Sequence, residues 1–310
     1  MASTSETGIG EVNYLHYMIL IDYPKARNVA KWYQAAFGAE MLHQQVNAVG
    51  VSNGIRLLGT YYLRFGPVGC CTILEIRDSI NNSIDDVSRE ELKQRKSNSI
   101  HCLCSHNLDA LVVRVMGAPA KAIAEQVRGS RAIMVQETQH SYWEIIDPFG
   151  YSWFIGSMNH VPKTVFGLNQ NSANNQNNDE VGQVDSAHLV LLIDYPRAQE
   201  AKDWYKLAFG AVPLYENGTQ IYMQLGPIGN NRVIEIKDVD RPRVEQDDSI
   251  GFYCMISDNA DLLHQQAVSV QAFHQNTERV EQLIIHKIRD PFGFSWFILS
   301  TNLVPPQVYA

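Results

Sequence analysis

The chain has 310 residues, a formal net charge of −8 and 45% hydrophobic residues. That length suits two domains with cores of their own, and the acidic balance, with Lys and Arg scattered, excludes the basic stripe that a nucleic-acid backbone demands. The opening MASTSETGIGE is polar and the strand-like runs are short, so a soluble, cytoplasmic protein without membrane or nucleic-acid partners is expected, acting on a small molecule.

After an N-terminal tail (residues 1–11), the stretch from Tyr14 to Ala39 returns from Ser186 to Ala211, so the chain is a duplication. Each copy opens as strand, turn and helix. Tyr14, His16, Met18 and Leu20 fall on one strand face, and the apolar Leu15, Tyr17, Ile19 and Ile21 on the other. The apolar set should meet the helix. Its stripe is Ala26, Val29, Ala30, Tyr33, Ala36 and Phe37, repeated by Ala198, Ala201, Tyr205, Ala208 and Phe209. Asp22 is placed to cap, Pro24 suits the first helical turn, and Gly38 suits a left-handed helix end. His16 and His188 therefore point away from their helices.

Strands are expected over Met41–Val46 and Thr60–Phe65, followed by CTILEIRD, in which Ile73, Glu75 and Arg77 share one face. Copy two repeats this as RVIEIKD, with Glu235. An acid inside an apolar strand needs a partner or a metal. Beyond the polar Ser79–Asn98 connection, SIHCLCSHNLDAL reads as a second opening strand, in which His101 takes the place of His16. SIGFYCMISDNADLL offers Tyr253 there, aligned on Asp109 and Asp261. The five cysteines, Cys70, Cys71, Cys102, Cys104 and Cys254, are odd in number and form no disulfide framework. Cys102 and Cys104 share a strand face, as a zinc thiolate pair would, though free Cys also packs as a small hydrophobe.

Each copy closes on a turn and an aromatic strand, DPFGYSWFI from Asp147 and DPFGFSWFI from Asp290. Before these turns, His140, Tyr142, Glu144 and His286 are candidates for lining a cavity, whereas Trp32, Trp153, Trp204 and Trp296 read as core. The polar run from Asn169 to Asp179 reads as a linker. The domains so delimited are 12–160 and 184–303, with a linker at 161–183 and a C-terminal tail at 304–310.

The ordered set WYQAAFGA or WYKLAFGA, ILEIRD, and a closing DPFG-aromatic strand, present twice, resembles the glyoxalase and bleomycin-resistance proteins of the vicinal oxygen chelate superfamily. The resemblance implies an α+β fold of tandem glyoxalase-like domains, in which paired βαβββ modules form curled mixed sheets around a cavity. It also implies metal ligands on the first and last strands of the modules: His16, Glu75 and His101 in copy one, and His188 and Glu235 in copy two, beside Tyr253. The last ligand position holds Phe154 and Phe297, which cannot coordinate. Pairing within a copy would join His16, Glu75 and His101; pairing across copies would join His188, Glu235 and His101, and leave His16 and Glu75 with Tyr253. Both pairings are open from sequence.

Two imidazoles and a carboxylate suit a divalent transition metal such as Zn, Ni, Fe, Mn or Co. The expected activity is a metal-dependent lyase or isomerase moving a proton on a small oxygenated carbonyl compound, with Glu75, Glu235 or Tyr253 as the acid or base. The missing carboxylate argues against lactoylglutathione lyase activity. The alternatives are a metal-free small-molecule binding protein and an extradiol-type dioxygenase. The assembly is expected to be a monomer of two pseudo-symmetric domains or a homodimer.

Overall fold

The computed structural model describes residues 12–51, 54–67, 71–79, 99–118, 133–137, 142–166, 183–226, 232–240, 251–280 and 283–308. The polar 79–98 connection beyond Ser79, Cys70, His140 and the Asn169–Asp179 linker lie outside these residues. In chain order, copy one comprises β1 (Tyr14–Asp22), α1 (Ala26–Phe37), β2 (Glu40–Val51), β3 (Gly54–Phe65), β4 (Thr72–Ser79), β5 (Ser99–Ser105), α2 (Leu108–Gly117), β6 (Ile133–Glu137), β7 (Tyr142–Ile146) and β8 (Ser152–Ser157). Copy two comprises β9 (Ser186–Asp194), α3 (Ala198–Phe209), β10 (Val212–Asn217), β11 (Gln220–Gln224), β12 (Val233–Val239), β13 (Gly251–Ser257), α4 (Ala260–Ser269), β14 (Phe273–Val280), β15 (Leu283–Arg289) and β16 (Ser295–Ser300).

The strands form two eight-stranded mixed sheets. Sheet A has the order β14-β15-β16-β13-β1-β4-β3-β2, and sheet B the order β10-β11-β12-β9-β5-β8-β7-β6. The first half of each copy therefore joins the second half of the other. The seams are antiparallel pairs, with His16 opposite Cys254 in sheet A and His188 opposite Cys102 in sheet B. The stretches 12–160 and 184–303 each contribute half of both sheets. Of the two pairings open from sequence, the chain adopts the one across copies.

The starts of α1 and α3 are fixed at long range. Neither Lys25 nor Arg197, at the cap positions of α1 and α3, makes a side-chain cap bond. The amide of Ala26 donates instead to Asp78 Oδ1 (2.9 Å) and that of Ala198 to Asp238 Oδ1 (2.7 Å). The last acid of EIRD and EIKD thus caps each helix, and its charge also favours a helix N-terminus; the Asp22 side chain, expected to cap, lies outside the described residues. Pro24 and Pro196 lie before the helices, in cis peptides. Gly38 and Gly210 close α1 and α3 at φ 70° and 65°, a left-handed conformation that glycine adopts at little cost.

One apolar core contains Leu15, Tyr17, Ile19 and Ile21 of β1, the stripes of α1 and α3, and the matching faces of both sheets. Trp32, Trp153, Trp204 and Trp296 are buried, as expected. The repeated Asp of the closing turn organises this core. Asp147 accepts bonds from Tyr33 Oη (2.5 Å), Trp153 Nε1 (2.9 Å) and the amides of Phe149 and Tyr151. Asp290 does the same with Tyr205 (2.5 Å), Trp296 (2.9 Å), Phe292 and Phe294. The WY of each helix, the DPFG turn and the Trp two strand residues later are therefore one hydrogen-bonded unit, which explains why they recur together.

Among the described residues, no α-helix packs on the opposite face of either sheet. On sheet B it is covered by Met158, Val161, Val165 and Phe166, and on sheet A by Val304 and Val308. These straps follow β8 and β16 and repeat in sequence, as VPKTVF and VPPQVY. They occupy the start of the stretch expected as linker and most of the expected C-terminal tail.

Candidate functional site

Alternation along β9 and β12 sets His188 and Glu235 on the helix-free face of sheet B, where both are buried. His188 Nε2 lies 3.0 Å from Glu235 Oε2. The same oxygen accepts a bond from Tyr142 Oη (3.1 Å), and Oε1 accepts one from Gln220 Nε2 (2.6 Å). Beside them on β5 stand Cys102 and Cys104, with their sulfurs 3.6 Å apart. The ligand atoms of Cys102, Cys104 and His188 all lie within 4.8 Å of one another. Phe154, Tyr222 and Phe166 complete the surroundings, with the Phe166 ring 5.9 Å from that of His188.

The charges in this cluster support one another. Burial by itself would lower the His188 pKa and raise that of Glu235. Contact with Cys104 and Glu235 instead raises His188 to about 9, and His188, Lys237 and Gln220 bring Glu235 below its ordinary range. Hydrogen bonding from Cys102, aided by His188, lowers Cys104 to about 6 against the effect of burial. Burial and the neighbouring Cys104 push Cys102 up.

Sheet A holds a different constellation at the corresponding positions. His16 Nε2 is 3.1 Å from Glu75 Oε2, while Arg77 Nε makes an ion pair with Glu75 Oε1. Burial alone would raise Glu75, but Arg77 and His16 lower it to about 2. Met18, Tyr62, Cys254 and Ile256 surround this group. Where sheet B has Cys102 and Cys104, sheet A has Cys254 and an aliphatic Ile256.

His101 and Tyr253, expected beside these pairs, each face the core on the other side of their sheet. The ring centroid of His101 is 4.5 Å from that of Tyr17, 5.9 Å from Trp153 and 5.6 Å from Tyr253. Tyr253 stacks on Tyr17 at 5.1 Å. Burial, with His188 nearby, lowers the His101 pKa to about 3. The structure thus brings together His188 with Glu235, and His16 with Glu75, but neither His101 nor Tyr253 with either pair. Cys102, which the sequence admits as one half of a zinc thiolate pair or as a packed small hydrophobe, lies at the register position opposite His188.

Of the secondary candidates, Tyr142 contacts Glu235, and Glu144 lies in register opposite Phe154. His286 instead pairs with Asp261 of α4 (2.8 Å) and stacks on His264 at 4.1 Å, on the helix side.

A pH dependence follows from the Glu75 network. Its folded pKa of about 2 lies below the ordinary 4.5, so it contributes stability above pH 4.5 that is lost as pH falls toward 2, on the order of 3 kcal/mol. Glu75→Gln should flatten the acid limb across that window. Urea unfolding midpoints at pH 7 and pH 3 measure it, and an unchanged slope would show that Glu75 does not carry the acid sensitivity.

Residues on the helix-free face of sheet B suit a transition cation, since thiol and imidazole donors from adjacent strands meet in one buried cluster. No helix among the described residues is long and apolar enough to cross a membrane. No protein-family model matches the sequence, and no curated protein matches it. Solved structures do match. Glyoxalase I from Zea mays aligns with a TM-score of 0.52 at 12% identity, covering 93% of this chain and 92% of its own. A variant of that enzyme aligns at 0.53 and 12% identity, over 93% of both chains. A lactoylglutathione lyase from Agrobacterium tumefaciens covers 37% of this chain and 91% of its own at 19% identity, with a TM-score of 0.28. The chain has the α+β tandem fold of glyoxalase I, the fold that the sequence resemblance to the vicinal oxygen chelate superfamily implies.

Proposed function

We propose that this protein is a lyase or isomerase that moves a proton on a small oxygenated carbonyl compound, at the helix-free face of sheet B. The observation that carries the reading is Glu235: a buried, ionised carboxylate with His188 and Tyr142 on one oxygen and Gln220 on the other. These contacts fix its direction and leave it unprotonated at neutral pH. Such a group accepts a proton when the substrate carbon is acidified by its neighbouring oxygens.

A bound divalent transition metal, held by His188 and the donors around it, would supply a positive charge for those oxygens. The chain's own residues do the rest. His188 and Tyr142 orient the carboxylate from one oxygen, and Phe154 and Tyr222 exclude water around it. Phe166 and Val165 of the strap close the site, so substrate enters when the strap is displaced. Sheet A is not equivalent, because Arg77 already engages Glu75 as a fixed cation. One working site per chain is expected.

The test is solvent deuterium incorporation at the carbon beside the carbonyl, followed by NMR over a panel of hydroxyketones, hydroxyaldehydes and 2-oxo acids. Glu235→Gln should lower the rate by roughly 10² to 10⁴-fold, whereas Glu75→Gln should leave it near wild type. Exchange with no panel member by a folded, metal-supplemented protein would refute the reading. The aromatic lining by Tyr142, Phe154, Phe166 and Tyr222 also suits a second reading, a metal-free small-molecule binder. That reading predicts a fully folded protein without stoichiometric metal.

A further inference from the structure

We infer that the helix-free face of sheet B is a thiolate metal centre, in which Cys102, Cys104 and His188 ligate a borderline-soft cation of the zinc class while Glu235 stays outside the coordination shell. The inference rests on the proposed function only for what the centre is used for. The ligand set stands on geometry and chemistry.

Strand geometry delivers the donors. Cys102 and Cys104 are two apart on β5 and so share a face, and antiparallel pairing places His188 of β9 opposite Cys102. Around a tetrahedral zinc with Zn–S of about 2.3 Å, two sulfurs would lie about 3.8 Å apart. Here they are 3.6 Å apart before any ion is considered, and the His188 ligand atom lies within 4.8 Å of both. All three residues are buried.

His188 is arranged as a ligand would be. Its Nε2 is taken by Glu235, and its Nδ1 is buried without a hydrogen-bond partner among the described residues. A carboxylate on one ring nitrogen fixes the tautomer and orients the other toward a metal.

The second sheet supplies the comparison that excludes simple packing. At the equivalent of Cys104 it has Ile256, so the fold accepts an aliphatic side chain there and has no steric need for a thiol. At the equivalent of Lys237 it has Arg77, whose guanidinium occupies Glu75. In sheet B the Lys237 ammonium lies over the Tyr142 ring instead, 5.1 Å from its centroid. The sheet that has the dithiol therefore keeps its carboxylate clear of a guanidinium, and the sheet that lacks the dithiol has filled the place with one.

The experiment is cobalt titration of the chelator-stripped, reduced full-length protein, followed by absorbance. Expected are one Co²⁺ per chain, intense visible bands of a tetrahedral ion, a near-ultraviolet thiolate-to-cobalt band, and displacement of both by Zn²⁺. Cys102→Ser and Cys104→Ser should each lose the thiolate band and weaken Co²⁺ binding by at least about tenfold, while Cys254→Ser keeps it. Glu235→Gln should keep the thiolate band, with affinity lower by roughly 10 to 100-fold as for loss of an outer partner. Near-ultraviolet circular dichroism of every variant separates lost ligation from lost folding. No Co²⁺ binding by the folded protein, or binding without a thiolate band, would overturn the thiolate centre; in the second case metal-assisted proton transfer still stands. A thiolate band in a protein that exchanges no substrate proton would uphold the centre and refute the enzymatic reading.

Discussion

Replacing Arg77 by Met is expected to destabilise the protein by about 3–5 kcal/mol, because it leaves a buried carboxylate without its cation. Glu75 is 0% exposed, and its two oxygens face Arg77 and His16. With the guanidinium gone, Glu75 loses its fixed cation, and it will take up a proton rather than stay ionised beside Met18, Tyr62, Cys254 and Ile256. The Arg77 side chain is 36% exposed, so water partly replaces it and the loss should fall toward the lower end of the range. The double variant Glu75→Gln with Arg77→Met removes the stranded charge and should recover more than half of the loss. Urea unfolding of the two single variants and the double variant gives the coupling energy. Additive losses would mean that the pair is not the unit described here.

The corresponding change in sheet B carries a contrast. Lys237 lies over Tyr142 rather than on Glu235, so Lys237→Met should cost much less than Arg77→Met. The two helix-free faces descend from one duplicated pattern, and their difference is chemical: a salt-bridged carboxylate in sheet A, and a carboxylate addressed by imidazole, phenol and amide in sheet B.

What could be read from sequence depended on whether the two faces of a strand differ in polarity. In β1 and β4 they do, so the faces that carry His16, Glu75 and Arg77 were legible. In β5 they do not: Ser99 to Ser105 are all buried, and a period of two has nothing to mark. Placing His101 by analogy with His16 then introduced a shift of one residue, which moves every side chain to the opposite face. The signal that would have corrected it is Tyr253. A Tyr aligned with His101 matches Tyr17 rather than His16, and Tyr17, His101 and Tyr253 form one aromatic group in the core. With that register, Cys102 falls opposite His188 and the cysteines become site residues. The pairing of half-copies was not legible, since both arrangements bury the same faces. The straps were missed because VPKTVF and VPPQVY have no strand or helix period; their recurrence in both copies was the available clue.

Asp147→Ala should cost at least about 3 kcal/mol, since it strands three buried donors, the Tyr33 hydroxyl, the Trp153 indole and the Tyr151 amide, and the half-buried amide of Phe149. Each unsatisfied buried donor costs about 1–3 kcal/mol, offset in part because the Tyr33 hydroxyl can rotate. Asp147→Asn should cost less, because its remaining oxygen still serves the two amides while its NH₂ opposes the indole N–H. Burial raises the Asp147 pKa to about 6 despite these bonds, and Asp290 behaves alike. A raised carboxylate favours the folded state fully below its ordinary value of 3.8 and loses that advantage as pH rises through 6, opposite in sign to Glu75. Asp290→Ala should match Asp147→Ala in size, and the two losses should add, because the partners of Asp290 are Tyr205, Trp296, Phe292 and Phe294, none of them shared. Thermal and urea unfolding of the single and double variants measure this. A loss under 1 kcal/mol in either single variant would show that the repeated turn is not what ties each first-half helix to the closing strand of its copy.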